Sequence, residues 1–108
     1  MTRIEHLQRD YRVAFLGYLA TRDESALHAG YVIGRRAVEE GVSLLELSRI
    51  HHEIFRRTLA EARADELDEL VAAASELFLE VLSTWQMVVD SAQTGHAGRQ
   101  AEASDDPR

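Results

Sequence analysis

The sequence predicts an all-α protein, a four-helix bundle with a long C-terminal helix, expected to pair with a second copy of itself. Three observations carry this expectation. Apolar residues recur every three or four positions, and no stretch alternates with the period of a strand. Gly and Pro are almost confined to boundaries, and the only proline is Pro107. The chain has 108 residues, of which 45% are apolar, enough for one domain around one core.

The first helix is expected over residues 3–20. Ile4, Leu7, Tyr11, Phe15 and Tyr18 form one apolar stripe. Val13, Leu16 and Ala20 form a second strip on another side. Such a helix must bury both, one of them against another chain. The second helix is expected over 22–40, with Thr21 as its cap and Glu24 completing a capping box. Leu27, Tyr31, Gly34 and Val38 follow one face, and Gly30 and Gly34, one turn apart, remove side chains from it. A helix-interior glycine costs up to about 1 kcal/mol, which close approach of another helix would explain. Gly41 ends this helix as its C′ residue.

Ser43 caps the third helix, and Glu46 stands at the capping-box position. Leu47, Ile50, Ile54 and Thr58 trace the buried face as far as about Ala62. The fourth helix is expected from Asp65 to Gln93, its acidic first turn matched to the helix dipole. Leu67, Val71, Ala74, Phe78, Val81, Trp85, Val88 and Ala92 form a heptad seam, widened by Leu70, Leu77, Leu82 and Val89. At about 43 Å it would overhang its roughly 27 Å neighbours. An overhanging seam meets a second copy or leads into another domain. Residues 94–108 are small, polar and aperiodic, and read as a disordered tail or linker stub beside a domain of residues 1–93.

Composition narrows the function classes. There is no cysteine, so disulfides, thiolate metal sites and thiol catalysis are excluded. The net charge of −7 argues against nucleic acid as a partner. No stretch has the roughly 20 apolar residues of a membrane span, and the charged N-terminus lacks a signal-peptide core. The reading is cytoplasmic.

Chemistry is sparse. His51 and His52 are adjacent, so they diverge by about 100° on a helix and do not converge on one metal. His51 lies on the apolar face, where a histidine bonded to a neighbour is expected; His52 lies on the flank. Glu24 and His28 are four apart, without the second such pair that a di-iron bundle needs. No serine sits in a nucleophile elbow, and no glycine-rich phosphate loop occurs. Neither an enzyme, a metal nor a cofactor is expected. Two basic pairs, Arg35–Arg36 and Arg56–Arg57, suit an acidic partner or the carboxylates of the fourth helix. Leu79, among Ala72, Glu76, Ser83 and Gln86 as helical neighbours, should face outward, with Met87 on the same side. Together they suggest a contact patch.

The run YLATRDESALHAGYVIGRRAVEEGVSLLELSRIHHEIFRRTL (residues 18–59) resembles the N-terminal domain of the bacterial stress-response phosphatase RsbU. The matching features are the Tyr18-Leu19 end of the first helix, the acidic Asp23-Glu24 entry, Ala26-Leu27, Gly34-Arg35-Arg36, the polar cap of the third helix and Ile50-His51. Residues 76–90 fit more loosely. The resemblance implies a homodimeric, non-catalytic module of a partner-switching pathway. It would bind a switch kinase of the RsbT type and so activate a PP2C-type phosphatase, attached or separate. It also implies a kinase-contact surface at the start of the second helix and the middle of the fourth. Here that corresponds to Glu24, His28 and Leu79, with Met87 added by its outward position. His28 departs from the aromatic that can occupy its place. Val13 and Leu16, with Val81, Trp85 and Val88 of the seam, are the expected dimer contacts. The alternatives are a small-ligand or metal sensor using His28, His51 or His52, and a plain dimerisation scaffold.

Overall fold

A computed structural model describes the backbone of residues 2–104 and the side chains as far as Gln93. It consists of α1 (Arg3–Thr21), α2 (Glu24–Glu39), α3 (Leu44–Glu61) and α4 (Leu67–Ser104), with one 3₁₀ turn at Ala64–Glu66. The ends follow local chemistry. Thr2 and Glu5 form a reciprocal capping box at the start of α1. Asp23 caps α2, its carboxylate accepting from the Ala26 N–H at 2.8 Å. The expected cap, Thr21, is instead the last residue of α1, and its hydroxyl donates to the Gly17 carbonyl. Gly41 adopts φ 72°, and the Val42 N–H returns to the Ala37 carbonyl at 2.8 Å. This is a Schellman-type stop, closed by the burial of Val42. Ser43 caps α3 by accepting from the Glu46 N–H.

Most of the α1 stripe is core: Leu7, Tyr11, Phe15 and Tyr18 are buried, joined by Ala14, while Ile4 packs at the edge. From α3 come Leu47, Ile50 and Ile54. Two faces are rotated from expectation. On α2 the buried strip is Gly30, Ile33, Gly34 and Ala37, while Leu27, Tyr31 and Val38 are half-buried. On α4 it is Leu70, Ala73, Ala74, Leu77, Val81 and Thr84, whereas Leu67 and Val71 are exposed. One cause explains both. α2 and α4 form the most extensive helix pair. Gly30 lies against Leu77 and Val81, and Gly34 against the Val81 carbonyl and Thr84. The two glycines let the α2 backbone press onto α4, and the edge of the apolar band on α4 that meets them becomes the core. Of the expected heptad seam, Ala74 and Val81 join this core, whereas Leu67 and Val71 lie outside it.

α4 has 38 residues, about 57 Å, so it projects beyond the shorter helices. Its end lies at Ser104 rather than near Gln93. Ala, Gln, Glu and Arg are frequent in 94–104, and extending a formed helix needs no new nucleus, so two glycines do not stop it. The rest of the expected tail, 105–108, lies outside the described residues. No helix among the described residues is long and apolar enough to cross a membrane.

Candidate partner interface

Two helices present the candidate surface. Glu24 and Leu27, in the first turn of α2, and Leu79, in the first half of α4, line a depression of about 550 Å³ floored in part by Tyr18. Leu79 is 61% exposed. Its rim is acidic: Glu24, Glu76 and Glu80 all border it. Ser83 belongs both to this depression and to a second, of about 900 Å³, further along α4. The second holds Met87, Leu82 and Leu44, the first residue of α3. Glu24, Leu79 and Met87 therefore share one continuous flank. His28 is exposed but lines neither depression; its ring stacks on Tyr31 at 5.2 Å.

Beneath the first depression lies a polar network that sequence reasoning missed. The Tyr18 hydroxyl donates to Glu76 Oε1 at 2.6 Å, and Arg22 Nη2 donates to the same oxygen at 2.6 Å. Arg22 Nη1 reaches Glu69 at 2.5 Å. The Tyr18 hydroxyl and the Arg22 guanidinium hold the Glu76 carboxyl below the usual carboxylate range. In return, the hydrogen bond to Glu76 raises the Tyr18 phenol, with burial adding to the effect. Arg22 is the one non-glycine residue with positive φ among the described residues. Its φ of 56° costs an L-residue about 1–2 kcal/mol. A left-handed arginine leaves no mark in the sequence; the signal available was the carboxylate spacing Glu69–Glu76, two turns on one face of α4.

The expected dimer contacts do not form one patch. Val13 is 67% exposed and lines an apolar groove between α1 and α2 with Val32. Leu16 lines a separate groove between α1 and α3 with Arg12 and Arg57. Val81 requires correction: it is fully buried inside the bundle, because it carries the α2 contact. Trp85 is half-buried and packs on the core, and its indole N–H donates to the Val42 carbonyl at 3.2 Å. Val88 is half-buried. The basic pairs also meet other partners than expected. Arg36 binds Asp10 of α1 at 2.5 Å and Glu40, Arg35 pairs with Glu39, and Arg56 and Arg57 pair with Glu53. Of the α4 carboxylates, Glu69 and Glu76 pair with Arg22 instead.

His51 is a structural residue. Its Nδ1 shares a 2.6 Å hydrogen bond with the Tyr11 hydroxyl, and its ring stacks on Phe78 at 3.9 Å. Burial, helped by the neighbouring His52, lowers its pKa to about 4. Burial also raises the Tyr11 phenol. Among the described residues, no three or more His, Asp or Glu side chains group as a metal site would need.

A bundle with an exposed, acid-rimmed apolar flank and a projecting terminal helix has the build of an interaction domain. The chain matches the family model of the phosphoserine phosphatase RsbU N-terminal domain over residues 9–88, and it belongs to that family. The family's N-terminal domain is non-catalytic and regulatory, and the phosphatase domain is a separate region that these 108 residues do not contain. No curated protein and no solved structure matches the chain.

Proposed function

We propose that this domain is a dimeric, cytoplasmic partner-switching module that binds an RsbT-type switch kinase and thereby controls a PP2C-type phosphatase, attached or separate. The observation that carries the reading is the placement of Leu79. A large apolar side chain, 61% exposed, stands beside Glu24 where the α2 entry meets the first half of α4. Exposed apolar patches rimmed by polar residues mark interaction sites. Met87 extends the surface along α4, and His28 stands on the next turn of α2 from Glu24. Val13 and Leu16 remain available on α1 for self-association.

Calorimetric titration against the RsbT-type kinases of the source organism tests the reading. Saturable binding to one of them, lost in Leu79→Asp, is the expected result. A folded protein that binds none would refute kinase recognition.

A further inference from the structure

Arg22 does more than end α1. The next residue, Asp23, caps α2, and the one after it, Glu24, opens α2 and borders the Leu79 depression. Arg22 thus sits at the junction that carries Glu24, and its guanidinium crosses to α4. There it grips Glu69 at 2.5 Å and Glu76 at 2.6 Å, with Tyr18 bonded to the same Glu76 oxygen. Glu76 is three residues before Leu79, so the grip falls on the turn next to the exposed leucine. The guanidinium also lies 5.4 Å from the centre of the Tyr18 ring.

We infer that Arg22 is a positioning residue of the partner surface, fixing Glu24 against Leu79 by anchoring the α1–α2 junction to Glu69 and Glu76. The inference rests on the proposed partner reading and deepens it. Ion pairs this open to solvent contribute little to stability. They do set geometry, because the planar guanidinium fork offers its donors in fixed directions. A glycine would adopt the left-handed junction without strain. Strained backbone that a glycine would relieve, held in place by side-chain contacts, is characteristic of sites where geometry matters for function.

The test is Arg22→Gly, which permits the left-handed junction and removes the guanidinium, with both its ion pairs and its contact on the Tyr18 ring. Amide order parameters of Asp23, Glu24 and Ser25 should fall from rigid values near about 0.85 to below about 0.6. The melting temperature should stay within a few degrees. The dissociation constant for the kinase should rise at least about tenfold, with partial recovery in Arg22→Lys, which keeps one ion pair. Unchanged order parameters overturn the inference. Lower order with unchanged affinity overturns it as well, because the junction would then be irrelevant to recognition. If the unaltered protein binds no kinase, the proposed function fails by itself, and the order parameters alone decide whether Arg22 holds Glu24 in place.

Discussion

Replacing Gly34 by alanine tests the packing that sets the whole arrangement. A Cβ at position 34 would lie 2.7 Å from the Val81 carbonyl oxygen and 2.8 Å from Thr84 Cβ. Neither atom can swing aside, since one is α4 backbone and the other is bonded to it. The two helices must separate, and overpacking of this kind costs about 1–3 kcal/mol. Alanine returns up to about 1 kcal/mol of helix propensity. The net expectation is a loss of about 1–2 kcal/mol, or roughly 5–10 °C in melting temperature for a domain this size. Gly30→Ala meets the flexible end of Leu77 at 2.9 Å, with Glu80 Cγ and Val81 Cγ2 at 3.3 Å, so a side-chain shift offsets the propensity gain and stability stays near that of the parent. Gly17→Ala meets nothing within 4 Å and should stabilise by up to about 1 kcal/mol. Thermal and urea unfolding followed by circular dichroism would rank the three. If Gly34→Ala proves as stable as Gly30→Ala, the close α2–α4 contact is not what orients the bundle.

Three further outcomes follow from the core and surface assignments. His51 titrates near 4 when folded and near 6.5 when unfolded, so the unfolded chain binds the proton first. Stability is complete above about pH 6.5 and declines as pH falls toward 4, with about 2 kcal/mol lost by pH 5. Urea unfolding at pH 7.5 and 5 should show most of that decline abolished in His51→Gln. Tyr11→Phe removes the partner of the His51 Nδ1 and should cost about 1–2 kcal/mol in the same assay at neutral pH. Val81→Ala should lower the melting temperature without altering mass by light scattering, since Val81 is core, whereas Val13→Asp should alter mass and leave unfolding nearly unchanged.

The four helices were legible because their signals are local. Ser43, Gly41 and the α1 stripe each act within one turn of chain, and each performs the expected role. The rotated faces of α2 and α4 were not legible for the converse reason. α4 is apolar around much of its circumference, so periodicity alone does not say which edge turns inward. The answer is written on α2, in two residues that have no side chain, and reading it requires knowing that α2 and α4 are partners. The partner flank divides in the same way. The outward position of Leu79 follows from its helical neighbours, and its nearness to Glu24 came from the family resemblance. Arg22 was invisible because a left-handed arginine bridging 47 and 54 positions of sequence has no local signature.

The same α4 geometry argues that recognition and stability can be separated. At about 100° per residue, Leu79 points some 200° from both Leu77 and Val81, which are fully buried against α2. A change at Leu79 therefore leaves the α2–α4 contact intact. Leu79→Asp removes an exposed side chain and lowers helix propensity by less than about 0.7 kcal/mol. The expected thermal shift is correspondingly small, below about 5 °C. Its effect on binding should be large, because an additional carboxylate joins Glu24, Glu76 and Glu80 where the partner must place apolar surface. A kinase affinity reduced at least about tenfold, with helicity and melting retained, is the expected pair of results from calorimetry and circular dichroism. A collapse of the fold would mean that Leu79 has a packing role in the bundle, and recognition would then have to be sought on the Val13–Val32 groove of α1 and α2.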